Sequence, residues 1–232
     1  MHGRYRTRPA SRPYAPRVRI LMVTDWTTVA ALATAGGTMV LAIATFVSVR
    51  SANRSQRLAE AAMQIGIRPL LMPSRPDDAQ QTILWGDEHR AVLDAGGAHV
   101  EAEGDNVYLA MSLRNAGSGV AVIQGWHLGL HDPREEHPHA EPDEFRPQQR
   151  DLYIASGDAG FWQGALRDRG DDEFDEAEIV AGAPRRFLIE LLYTDHEGGQ
   201  RTIGQFVVGP REEGGWMCSM VHHWYLDRPD PR

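Results

Sequence analysis

Residues 27–49, TTVAALATAGGTMVLAIATFVSV, run for 23 positions without a charge. At about 1.5 Å rise per residue, a helix of that length spans about 34 Å, enough to cross the hydrocarbon core of a bilayer. Trp26 stands at one end, where an interfacial aromatic belongs, and Arg50, Arg54 and Arg57 bound the other. The competing reading is a cleaved signal peptide. Its apolar stretch usually covers only about 7–15 residues, and the basic segment ahead of this one is long for that purpose, so an uncleaved single-pass anchor in the cell membrane fits better. The expected organisation is a basic disordered arm over 1–26, a transmembrane helix over 27–49, a juxtamembrane helix over 50–68 and an acidic domain over 69–232.

The charge divides at the same place. Residues 1–68 carry 10 Arg against Asp25 and Glu60, while residues 69–232 carry 14 Arg against 30 acidic side chains. An acidic domain of that kind has no footprint for a phosphate backbone, and anionic lipid repels it, so nucleic acid is excluded as a partner. Orientation depends on where translation starts. With the arm present, Arg4, Arg6, Arg8, Arg12, Arg17 and Arg19 outnumber Arg50, Arg54, Arg57 and Arg68, which weakly favours the arm inside and the acidic domain outside. With a start at Met22, only the arginines after the span remain, and the domain faces the cytoplasm. Within the span, Ala31, Ala35, Thr38, Ala42 and Thr45 recur at spacings of four and three, a stripe of small residues along which a second copy could pack as a homodimer. Beyond it, Leu58, Ala61, Ala62 and Ile65 keep a helical period until Pro69 disfavours helix at Arg68.

From Pro69 the period changes to two. Residues 106–114, NVYLAMSLR, alternate clearly; the turn Asn115-Ala116-Gly117-Ser118-Gly119 and the run VAVIQGWHLGL follow, which together predict a hairpin. In the second run Gly125 suits a bulge or a close backbone approach. A second hairpin is expected from 185–194 and 201–208 around the turn at 195–200, with shorter strands at 70–73, 83–85, 150–155 and 216–226. The fold class is therefore mainly β: one transmembrane helix and an antiparallel β-sandwich of immunoglobulin-like size. Residues 131–149 and 167–178 read as charged surface loops, and Phe161, Trp162 and Leu166 between them as one buried turn of helix. Trp85, Trp126, Trp162, Trp216 and Trp224 read as core.

Phosphate-loop, dinucleotide, nucleophile-elbow and HExxH signatures are absent from the sequence. Cys218 is the single cysteine, more consistent with a small buried hydrophobe than a nucleophile. Imidazole and carboxylate gather in His131, Glu135, Glu136, His137, His139, Glu141 and Glu144. His137, His139 and Glu144 partly match the HxH(x)4E core of a cupin metal site, but the flanking glycines are missing and Pro138 and Pro142 interrupt the strand such a site needs. Asp171, Asp172, Glu173, Asp175, Glu176 and Glu178 lack the spacing of a calcium loop. Arg169-Gly170-Asp171 is too short a match to carry weight, and His222 and His223, adjacent in a strand, point to opposite faces. No catalytic, cofactor-binding or metal-ligating residue is assigned.

The segments VRSANRSQRLAE, RPLLMPSR, LRNAGSGVAVIQGW, GFWQGALRD and LLYTDHEGGQRTI, following a short apolar span, together resemble a family of uncharacterised single-pass membrane proteins of high-GC actinobacteria. The resemblance covers roughly residues 24–226, with Asp25-Trp26-Thr27-Thr28 at its start. The departure of residues 1–21 favours the Met22 start, and the family implies no activity or cofactor. The expectation is a non-enzymatic, membrane-anchored β-sandwich module that meets an unknown protein partner through loops near 131–149, 157–178 and 195–200. The alternative is a metal-binding protein or cupin-like metal-dependent enzyme using His137, His139 and Glu144.

Overall fold

The computed structural model describes residues 25–129, 138–171, 173–183 and 185–228. Most of the arm assigned to 1–26, together with His131, Glu135, Glu136, His137 and Asp172, lies outside them. The first element is one continuous helix, α1 (Trp26–Gly66), 41 residues long. Asp25 opens it: its backbone oxygen accepts from Thr28 and Val29, and its carboxylate accepts from the Thr27 hydroxyl at 2.7 Å. Its Trp26–Ala59 portion contains an 18-residue window of mean hydropathy 1.8 and is long and apolar enough to cross a membrane. Inside it, the hydroxyls of Thr34, Thr38, Thr45 and Ser48 each donate to the carbonyl four residues back, which satisfies them within the apolar stretch.

Eleven strands follow among the described residues: β1 (Leu71–Pro73), β2 (Gln81–Leu84), β3 (Arg90–Leu93), β4 (Gly97–Glu103), β5 (Asn106–Asn115), β6 (Ala121–Gly129), β7 (Arg146–Ile154), β8 (Ala159–Leu166), β9 (Phe187–Thr194), β10 (Thr202–Pro210) and β11 (Trp216–Tyr225). A second helix, α2 (Phe174–Gly182), precedes β9. β2 and β3 pair with each other as a separate hairpin, and the other nine strands form one antiparallel sheet. β5 pairs with β8 along 107–114, with β4 along 106–111 and with β1 along 113–115. A strand edge serves one partner at a time, so β8 holds one edge of β5 while β4 and β1 share the other. From β4 the sheet continues through β11, β10, β9 and β6 to β7. It curls until β7 and β8, its two ends, meet through side chains: Gln148 Nε2 donates to Gln163 O and Arg150 Nη2 to Gln163 Oε1, both at 2.9 Å.

Three expectations are corrected. The runs 106–114 and 120–130 do not form a hairpin, because the backbone donors of the turn are taken by the chain leaving α1. Ala116 N donates to Leu70 O at 2.8 Å and Ser118 N to Arg68 O at 3.1 Å. Gly117 and Gly119 therefore serve proximity rather than positive φ: a Cβ on Gly119 would lie 1.7 Å from Ile67 O, and one on Gly117 2.4 Å from Arg68 O. Residues 159–166 form strand β8 rather than a helical turn, with Trp162 and Leu166 in the main core and Phe161 and Ala165 against the β2–β3 cluster. The acidic stretch up to 178 is not all loop, since Phe174, Ala177 and Val180 recur at threes and bury one face of α2. Gly125 sits at a register shift in both β6 ladders, and a Cβ there would lie 2.8 Å from Arg146 O.

The main core fills the curl, with Trp162, Phe187, Phe206 and Tyr193 among its largest members. β5 and β9 are buried almost throughout, so each is covered on both faces. A fully buried Asn115 ties the start of the domain together. Its Oδ1 accepts from Leu70 N (3.1 Å) and Gly117 N (3.0 Å), and its Nδ2 donates to Gly119 O (2.5 Å) and Ile154 O (3.0 Å). Arg68 adds a two-pronged ion pair to Asp227 and stacks on Tyr225. Asn115→Ala leaves four backbone groups without their partner, two of them in buried bonds, and is expected to destabilise the domain by about 2–4 kcal/mol, whereas Asn115→Asp keeps the acceptor but sets an anionic oxygen against the Gly119 and Ile154 carbonyls and costs at least as much. Urea unfolding followed by tryptophan fluorescence reads both, and a loss under about 0.5 kcal/mol for alanine would rule out this role.

Candidate functional site

The feature most unlike simple scaffold is the β2–β3 hairpin, which lies over the outer face of β4, β5 and β8. Ile83, Trp85, Ala91 and Leu93 pack there against Tyr108 and Ala110, with Phe161 and Ala165 beside them. The connecting turn closes with Trp85 N donating to His89 O at 3.0 Å, and Glu88 adopts φ 70° to let His89 re-enter the strand direction. Trp85 Nε1 donates to Gly164 O at 3.0 Å, fastening the turn to β8. Asp87 on the turn accepts from the Tyr108 hydroxyl at 2.6 Å and from Arg167 at 3.1 Å. The Tyr108 hydrogen bond, and then Arg167, pull the Asp87 carboxyl down to about 2 against the opposing effect of burial.

This fastening brings two histidines and a glutamate together. His99 and Glu101 alternate on β4 and so share a face. His89 arrives from the hairpin with its ring stacked on Tyr108, centroids 3.8 Å apart and planes 6° from parallel. Glu101 Oε2 lies 3.0 Å from His99 Nε2 and 3.5 Å from His89 Nε2. Ligand atoms of all three residues lie within 4.8 Å of one another. On the far side of its ring, His89 Nδ1 pairs with Glu103 Oε2 at 2.9 Å. Neither Nε2 has a hydrogen bond of acceptable geometry, although both are shielded from solvent. Burial, reinforced by the neighbouring His89, pulls the His99 imidazole below the usual histidine range, and Glu101 only partly opposes this.

None of these residues was singled out in the sequence. The alternation His99-Val100-Glu101 is a readable sign of two ligand-type side chains on one strand face, but His89 belongs to a different element, and only the docked hairpin makes them neighbours. Of the cluster that the sequence did suggest, His139, Glu141 and Glu144 are described. His139 Nδ1 faces its own neighbour's carbonyl, Ala140 O, at 2.8 Å, and its ring lies on Trp224. Glu144 accepts from Glu141 N at 2.7 Å. Both line a cavity of about 280 Å³ with His127 and the buried Glu190, whose carboxylate accepts from Ala140 N and Gln205 Nε2. Asp171 and Glu173 bind Arg146, and Arg169 pairs with Asp105 and Glu178, so the RGD side chains are engaged within the domain. His222 stacks on Trp224 and His223 meets Tyr225 edge to face, on opposite faces of β11.

A second cavity, about 340 Å³, opens where β7 meets β8 and is lined by Trp85, Trp126, Arg146, Arg150 and Arg167 among others. Its cations are largely answered, Arg146 by Asp171 and Glu173 and Arg167 by Asp87. No protein-family model matches the chain, and no curated protein is significantly similar to it.

Two measurements test this description. Trp85→Ala removes the packing and the anchor of the turn together and is expected to cost about 3–5 kcal/mol, with the amides of 81–93 losing hydrogen-exchange protection first; unchanged exchange there would refute the anchoring role. Cys218 is buried with its Sγ against Gly97 O and Ser112 O, and burial pushes its thiol up to about 12. A thiol reagent at pH 8 should leave the native protein unmodified and label it fully in denaturant; rapid labelling of the folded chain would contradict that burial.

Proposed function

We propose that this chain is a single-pass membrane protein whose β-sandwich domain is a non-enzymatic interaction module held at the membrane surface. One observation carries the reading: the apolar side chains of α1, among them Leu32, Val40, Leu41, Ile43 and Phe46, are exposed. Each Å² of such surface costs about 25 cal/mol in water, and lipid removes that cost. Trp26 at one end and Arg50, Arg54 and Arg57 at the other suit the two interfaces. The lack of any established catalytic signature supports an interaction role rather than an enzymatic one, and the surfaces available to a protein partner include the described part of the 131–149 segment and the 195–200 turn. The stripe Ala31, Ala35, Thr38, Ala42 and Thr45 supports pairing of two copies within the membrane. The resemblance over residues 24–226, from which residues 1–21 depart, supports a start at Met22, and with that start the arginines after the span would favour a cytoplasmic domain.

The test expresses the chain from Met1 and from Met22 with a C-terminal tag. Both forms should stay in the membrane fraction through an alkaline carbonate wash, at the full mass expected without cleavage. Release into the wash, or a product shortened past residue 49, would overturn the anchor. Protease added to wall-stripped cells then reads the side: protection of the tag until lysis supports the cytoplasmic placement, and digestion in intact cells refutes it.

A further inference from the structure

We propose that His89, His99 and Glu101 form a binding site for a divalent transition metal of the zinc class, which clasps the β2–β3 hairpin to strand β4. The three donor groups come from two elements, and their ligand atoms lie within 4.8 Å of one another. A tetrahedral ion with bonds of about 2.0–2.1 Å needs donors about 3.4 Å apart, close to the 3.0 and 3.5 Å that separate Glu101 Oε2 from the two Nε2 atoms. The donor set, two imidazoles and one carboxylate, suits Zn²⁺ or Co²⁺ and disfavours Ca²⁺ and Mg²⁺, which take oxygen ligands. Glu101 remains about half exposed (47%), so its carboxylate is free to close on an ion, and a water completes the fourth position.

The surroundings are those of a ligating histidine. Glu103 accepts from His89 Nδ1, which fixes the tautomer that leaves a lone pair on Nε2, as carboxylates behind metal-bound histidines do. Tyr108 stacks on the same ring and holds its plane. The Nε2 atoms of His89 and His99 are buried without a hydrogen-bond partner, a cost that a bound cation would remove. This site is separate from the His137, His139 and Glu144 group, whose described members lie on the segment leading into β7.

The test loads the full chain in detergent with Zn²⁺, removes excess metal and measures metal per chain, with Co²⁺ as a spectroscopic probe. About one equivalent of zinc, a tetrahedral Co²⁺ absorption band, and added exchange protection across 85–93 are expected. His99→Asn and Glu101→Gln should each weaken binding at least tenfold, Glu103→Gln should weaken it about tenfold, and His139→Asn should leave it unchanged. Glu101→Gln changes an exposed side chain and reports even where a histidine variant fails to fold, and circular dichroism of each metal-free variant verifies folding. Zinc well below one equivalent, binding indifferent to Glu101→Gln, or binding lost in His139→Asn would overturn the proposal. The anchor proposed above stands or falls independently, because carbonate extraction reads α1 alone.

Discussion

The domain depends on one buried amide. Asn115 ends β5, and its side chain bonds to four backbone groups drawn from the incoming chain at Leu70, the turn at Gly117 and Gly119, and the end of β7 at Ile154. A buried group with that many partners is costly to leave incomplete, so the three segments are fixed together or not at all. The glycines are a consequence. With the chain from α1 pressed against the turn, a side chain at 119 would overlap Ile67 O outright. The turn that looks like a hairpin connection is therefore a crossing point, at which β5 exchanges a neighbour later in sequence for β1, an earlier one.

That exchange determines what covers the rest of β5. Its edges go to β8 on one side and to β4 and β1 on the other, so β5 lies inside the sheet with apolar side chains on both faces. One face has the core. The other would expose Tyr108 and Ala110, and the β2–β3 hairpin covers it with Ile83, Trp85 and Leu93. Because the hairpin is needed there for packing, its turn is held at a fixed place, with Trp85 bonded to Gly164 O and Asp87 to Tyr108. The position of His89 over His99 and Glu101 is thus inherited from hydrophobic burial on the neighbouring strand, where Ala110 and Tyr108 lie opposite them.

Much of this was legible in the sequence where a single period governs a segment. The uncharged run at 27–49, the alternation of 106–114 and the paired strands around 195–200 reappear as α1, β5 and β9–β10. Alternation failed where glycine broke it. In β8, Gly160 and Gly164 fall on the inward positions shared with Trp162, because a Cβ at 164 would strike the Trp126 and Trp162 rings. The inward face therefore reads as small–large–small, and the strand resembles a loop. α2 was obscured for the opposite reason: its three buried residues are outnumbered by acids, two of which, Asp171 and Glu173 just before it, bind Arg146. The His89, His99 and Glu101 grouping is a tertiary fact, since ten residues and a strand change separate its first two members.

Charge distinguishes the two parts of the chain. A helix of 41 residues is about 61 Å long, roughly twice the hydrocarbon thickness of a bilayer, so the proposed anchor would need only about half of α1. The residues at the end of the uncharged run are Arg50, Arg54 and Arg57, which anionic headgroups attract. The domain that follows holds 30 acids against 14 arginines, and the same headgroups repel it. Within that acidic domain, the carboxylates of Glu101 and Glu103 around His89 and His99 raise the local concentration of cations rather than of phosphates.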